Sequence, residues 1–178
     1  PSATDLEQRL MAWQRAAGQD GLREVMVVRG DAHGHDSGVS STASMPPSKG
    51  GPFVDSLALL KSGVLGQCGL TRVSVCGHPE GVGELTVSEA TSALVNKLEW
   101  ADSESMSARV VTQFCFDSST TIDYIGALRS RGGVAASAAL AVGIVGPTSH
   151  EMRIRMARRC AVAEPGLPAG EKHAEDVW

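Results

Sequence analysis

The chain has 178 residues, 42% of them hydrophobic, and 16 basic against 20 acidic side chains give a formal net charge of −4. That supports one well-buried domain and is tight for two. The acidic balance, with no concentrated basic stripe, excludes nucleic acid or an anionic membrane as the main partner and points to small molecules. No run of about 18 apolar residues occurs. Pro1 to Asp5 lacks the basic start and apolar stretch of a secretory signal, so a cytoplasmic protein is expected.

Along the chain, Thr4 and Glu7 form a capping box, and Leu6, Leu10, Trp13 and Ala17 recur at helical spacing until Gly18. A strand is predicted over Glu24 to Val28. From Asp31 to Pro52 the sequence is rich in Gly, Ser and Pro and reads as a long loop, its central part residues 32–51. Pro52 suits the first position of a helix in which Phe53, Leu57 and Leu60 share a face. A second strand spans Arg72 to Cys76. Another capping box, Thr86 with Glu89, opens a helix burying Leu94, Leu98 and Ala101. The β-branched run Arg109 to Phe116 is the third strand. Ile122, Ile125 and Leu128 mark a further helix, the run Val134 to Val145 a fourth strand, and Thr148 with Glu151 the start of a helix ending near Cys160. Residues 1–162 thus form the domain and 163–178 a tail.

Strand and helix alternate four times, which implies parallel strands joined by crossovers, in a barrel or a doubly wound sheet. No GxGxxG follows the first strand, so the dinucleotide-binding doubly wound fold lacks its usual support. The four cysteines, Cys68, Cys76, Cys115 and Cys160, form no CxxC, and Cys76 and Cys115 fall within predicted strands; buried, reduced thiols are expected.

Three strands run straight into polar corners: VMVVRGD (Val25 to Asp31), RVSVCGHPEG (Arg72 to Gly81) and ARVVTQFCFD (Ala108 to Asp117). Gln113 stands out, because a glutamine ending an apolar strand needs partners or a cavity. Other residues take plainer readings. His33, His35 and Asp36 lack a third strong ligand at fixed spacing, so no metal site is expected. RGD is a turn rather than an adhesion motif, Met152 and Met156 are core-spaced, and RIRMARR is a solvated helix face.

Taken in order, VVRGD, GPF opening a helix, GHPEG, KLEWA on a helix, VTQFCFD and GIVGP resemble the methylenetetrahydrofolate reductase family over roughly Leu6 to Cys160. The resemblance implies a (β/α)8 TIM-type barrel, here apparently incomplete: the matching segments are the family's fourth to seventh strands, and a whole barrel usually needs about 250 residues. It implies a cytoplasmic FAD flavoprotein of one-carbon metabolism and methionine biosynthesis. Such an oxidoreductase reduces 5,10-methylenetetrahydrofolate to 5-methyltetrahydrofolate with NADH or NADPH. By the same resemblance, Asp31 lies beside the flavin and stabilises the cationic iminium form of the folate. Arg29, Gly30, Phe53 and His78 contact the cofactor, Lys97 stands near its pyrophosphate, and Gln113 hydrogen-bonds the pterin or the nicotinamide amide.

The pattern departs from the family at Val82 and Gly83, where a histidine and proline are common, and at Met152, where a second folate-binding glutamine stands. The catalytic glutamate of the family's first strand has no counterpart here. The alternatives are an inactive or truncated paralogue or partner subunit, and a related barrel handling another one-carbon carrier. A homo-oligomer or a complementing barrel segment would supply the missing strands.

Overall fold

The computed structural model describes residues 3–18, 21–28, 53–83 and 85–163. Its elements in order are α1 (Ala3–Ala16), β1 (Glu24–Val27), α2 (Ser56–Lys61), α3 (Val64–Gln67), β2 (Arg72–Gly77) and α4 (Val87–Ser103), then β3 (Ser107–Thr112), α5 (Ser118–Ser130), α6 (Gly133–Ser137), β4 (Ala139–Ala141) and α7 (His150–Cys160). The chain is a mixed α/β protein whose four strands form a parallel sheet in the order β1-β2-β3-β4. Two compact units meet inside β2, the first running to Val73 and the second from Ser74. Among the described residues no helix is long and apolar enough to cross a membrane.

In the first unit, α1 buries Leu10 but leaves Trp13 54% exposed, so the predicted apolar stripe is narrower than its spacing suggested. The Thr4 capping box is not seen either: α1 already includes Thr4 and starts at Ala3. What fastens this unit is Gln14. Its amide NH2 donates to the Leu22 and Cys68 carbonyls at 2.6 and 2.8 Å, and its Oε1 accepts from the Leu22 N–H at 2.7 Å. Pro52 lies outside the described residues. α2 starts at Ser56, because Asp55 is the residue whose carboxylate accepts from the Ala58 N–H at 2.7 Å; Phe53 precedes the helix.

The second unit's core is aliphatic. Leu94, Leu98 and Ala101 of α4 pack with Val75, Val110 and Leu128, all at most 2% exposed. The Thr86–Glu89 capping box forms on both sides, and the hydrogen bonds from Thr86 hold the Glu89 carboxyl below its ordinary range.

The third strand ends at Thr112 rather than Phe116, and the predicted fourth strand splits. Val134 falls in the short helix α6, and only Ala139–Ala141 pair with β3, in the parallel register Arg109↔Ala139 to Val111↔Ala141. Alanine-rich sequence tolerates a helical turn at little cost, and the Arg129 guanidinium, donating to the Ala135 and Ala136 carbonyls, satisfies groups that the end of α6 leaves open. For α7 the cap is Ser149, whose hydroxyl accepts from the Met152 N–H at 3.2 Å, one residue beyond the predicted Thr148.

β1 and β4 are the two edges of the sheet. In β1 or just past the edge strands, Met26 and Val28 are 49% and 57% exposed, and Val142 and Ile144 46% and 83%. Among the described residues the sheet is open; no barrel closure is seen.

Candidate functional site

In the second unit, polar residues gather where β2 and β3 end. β2 closes on Gly77, where an added Cβ would stand 2.9 Å from both the Tyr124 Oη and a methyl of Val110. Only glycine lets Tyr124 of α5 approach the strand this closely. Tyr124 is itself buried, its hydroxyl facing the His78 backbone and the Thr91 side chain without reaching hydrogen-bond geometry. The Thr91 hydroxyl donates instead to the Val87 carbonyl at 2.6 Å.

The corner after β2 is a tight turn. The Gly81 N–H donates to the His78 carbonyl at 3.1 Å, and Val82 and Leu85 exchange backbone bonds at 3.1 and 3.0 Å. Gly81 has φ +81°, and a Cβ there would stand 2.5 Å from the Leu85 carbonyl oxygen, so no other residue fits without rearrangement. The geometry fixes the direction in which His78 and Glu80 leave the strand.

Lys97 of α4 lies within electrostatic reach of both Cys76 and His78. Burial pushes the His78 imidazole below its ordinary pKa, and the Lys97 charge pushes it the same way. His78 therefore stays neutral at physiological pH, able to donate from one nitrogen and accept at the other. Burial raises the Cys76 thiol, and Lys97 partly opposes that.

The third corner holds Gln113, one residue past β3. Its backbone N–H donates to the Gly77 carbonyl at 2.7 Å, which ties it to the residue before His78. Its side-chain Oε1 accepts from the Phe114 N–H at 3.2 Å, which orients the carboxamide; the NH2 makes no hydrogen bond among the described residues. Phe114 and Phe116 follow, packed edge to face with centroids 5.5 Å apart. Asp117 caps α5, accepting from the Ser119 N–H and hydroxyl at 3.0 and 2.5 Å, and those bonds hold its carboxyl low. On the β4 side, the Gly143 N–H donates to the buried Thr112 hydroxyl at 3.0 Å.

All four cysteines are free thiols. Only Cys68 is fully buried; Cys76, Cys115 and Cys160 are half-buried, and Cys115 lies beyond β3 rather than within it. Burial pushes the Cys115 thiol up to about 11; the nearby Thr121 side chain opposes this and the Glu80 carboxylate adds to it. Cys115 is thus a protonated thiol, not an activated nucleophile. Alkylation of Cys115 by iodoacetamide at pH 8 is expected to run at least ~20-fold slower than that of a free thiol, because so little thiolate is present. Peptide mass spectrometry showing it labelled as fast as free cysteine would remove this reading.

Of the site residues expected from sequence, His78, Lys97 and Gln113 come to the carboxyl ends of β2 and β3. Phe53 belongs to the first unit and is half-buried. Arg29, Gly30 and Asp31 lie outside the described residues, as do His33, His35 and Asp36. Among the described residues no three His, Cys, Asp or Glu side chains are grouped to hold a metal. An open groove along α1, lined by Thr4, Glu7, Gln8, Met11 and Arg15, draws on a single helix face and offers no convergent groups.

Sequence reading missed Glu80, Thr112 and Tyr124. Glu80 accepts from the Ala163 N–H at 2.6 Å across 83 residues of sequence, a pairing with no local signal. For Tyr124 a signal existed in Gly77, a glycine ending an apolar strand, which marks a close approach. A scan of the chain against models of known protein families finds no match.

Proposed function

We propose that this chain contributes the carboxyl-end site of a flavin-dependent reductase of the methylenetetrahydrofolate reductase type, transferring reducing equivalents from NADH or NADPH through FAD to 5,10-methylenetetrahydrofolate. The observation that carries the proposal is the 2.7 Å bond from the Gln113 N–H to the Gly77 carbonyl, which sets the GHPEG and VTQFCFD corners side by side. Two motifs whose bonded residues lie 36 positions apart in sequence thereby converge on one strand end, where α/β proteins bind ligands.

The strand order supports a barrel segment over a doubly wound sheet. In β1-β2-β3-β4 each strand lies beside its sequence neighbours, with no reversal of direction that would mark a dinucleotide-type switch point. The exposed apolar residues beside β1 and β4 support a sheet that further strands extend, from a complementing segment or another subunit.

The donor set fits a flavin nucleotide in part. Lys97 supplies a cation suited to a pyrophosphate, the neutral His78 can both donate and accept at a ring edge, and the Gln113 NH2 group is open to a planar amide-like partner. Bound flavin would supply the two-electron chemistry, and these side chains would bind and orient it and its partners. Asp31, one residue beyond the Arg29–Gly30 pair, is proposed as the carboxylate beside the reacting carbon.

The visible absorption spectrum of the purified chain tests the proposal. Expected is a flavin band that bleaches on anaerobic addition of NADH or NADPH. A colourless protein that gains no flavin band when FAD is added would overturn the reading and favour a non-catalytic partner subunit.

A further inference from the structure

An ordinary crossover helix leaves the carboxyl end of its strand and runs back along the sheet, so that its own end lies on the amino side. α7 does not follow that course. After β4 the chain passes through residues 142–148 and starts α7 at the Ser149 cap, yet three residues beyond the end of α7 the Ala163 N–H meets the Glu80 carboxylate in the corner after β2. That corner is on the carboxyl side. The length suffices for a helix laid across the strand ends: 11 residues of α-helix extend about 16 Å, more than the about 10 Å that separates β4 from β2 two strands away.

The end of α7 is built to stop there. Ala161 takes a left-handed conformation at φ 51°, the Val162 N–H returns to the Ala157 carbonyl at 2.9 Å, and Val162 is 7% exposed. Ala157 is fully buried, and the Arg153 Nε is sealed from solvent, so α7 presses one side onto the body. The bond from Ala163 to Glu80 ties this terminus to the corner after β2, and Glu80 also faces Cys115 of the neighbouring corner.

We infer that Glu80 is a positioning residue of the strand-end site: its carboxylate pins the end of α7 over the ends of β2 and β3, and α7 so held limits access to the corner that carries Gln113. The inference rests on the strand-end site proposed above. It is tested without any cofactor, so the absence of flavin would defeat that proposal and leave this one standing on its own measurements.

Two readouts serve. The first is amide hydrogen exchange at Val162 and Ala163. The second is iodoacetamide labelling of a thiol placed at the strand end by Gln113→Cys, followed peptide by peptide. Glu80→Ala is expected to speed exchange at Ala163 and labelling at position 113 by roughly tenfold or more. Glu80→Gln, which keeps a carbonyl acceptor, is expected to restore most of both, a rescue that general loss of packing would not give. Should Glu80→Ala fail to fold, Ala163→Pro breaks the same bond from the donor side and leaves the carboxylate in place; it is expected to match Glu80→Ala in exchange at Val162 and in labelling at position 113. Unchanged exchange at Ala163 in Glu80→Ala, or at Val162 in Ala163→Pro, or faster exchange with labelling at position 113 unaltered, would overturn the inference.

Discussion

Alanine at position 143 is expected to lower stability by about 1–3 kcal/mol, the range for forcing extra volume into a close-packed site. The added Cβ would fall inside van der Waals contact of the Thr112 carbonyl oxygen, 3.1 Å from the Phe114 nitrogen and 3.3 Å from the Gln113 carbonyl carbon. All three are backbone atoms of the end of β3 and cannot rotate away as a side chain would. Relief requires moving the two chain segments apart, which stretches the bond from the Gly143 N–H to the Thr112 hydroxyl and leaves that hydroxyl short of a partner in a residue only 3% exposed. For a chain of this length the cost amounts to roughly 2–12 °C in Tm. Gly146 is the control: nothing lies within 4 Å of a Cβ there and its φ is not positive, so Gly146→Ala should leave Tm unchanged. If thermal melts of the two variants coincide, the close approach of β4 to the end of β3 is not as described.

The second large effect concerns turnover. On the function proposed above, and in a completed barrel, Gln113→Ala is expected to reduce kcat/KM for the folate by about 5- to 150-fold, the equivalent of one hydrogen bond worth ~1–3 kcal/mol in a desolvated site, while flavin stays bound. The direction follows from the orientation of the side chain. Its Oε1 is held by the Phe114 N–H, so the NH2 is the part left to meet a ligand. Gln113→Glu keeps the acceptor and loses the donors, and should impair turnover as severely as alanine. The check is steady-state kinetics with the flavin content of each variant measured from its spectrum. A Gln113→Ala protein that emerged free of flavin with unchanged folate affinity would show that Gln113 holds the cofactor and not the substrate.

How much of this was legible in the sequence depended on how local the causes are. The Thr86–Glu89 box and the buried stripe Leu94, Leu98, Ala101 follow from neighbours three and four residues apart on one helix, and both stand as expected. The starts of α2 and α7 were misplaced: Pro52 suits a first helical position but has no side-chain acceptor, so the cap falls to Asp55 three residues on, and of the adjacent Thr148 and Ser149 backbone direction decides which hydroxyl reaches the open N–H groups. The end of β3 was misplaced because Phe114 to Phe116 continue a strand-like composition after the ladder has no partner left to pair with: β4 offers only Ala139 to Ala141. The predicted stripe on α1 failed at Trp13, because spacing shows which residues share a face and not how far the neighbouring structure covers it.

The sequence by itself determined the class of the protein: an acidic α/β chain of alternating strands and helices, with polar corners after apolar strands. Those features depend on composition and short-range periodicity, which the chain carries wherever it folds. Only the tertiary structure decided that Gln113 joins the residue before His78, that Tyr124 fills the space Gly77 leaves, that Gly143 rests on the end of β3, and that Glu80 holds the far end of α7. Each of these joins residues from about 30 to more than 80 positions apart. Such pairs are selected by sheet order and close packing, where shape and the need to satisfy buried polar groups choose among many partners that local sequence leaves equivalent.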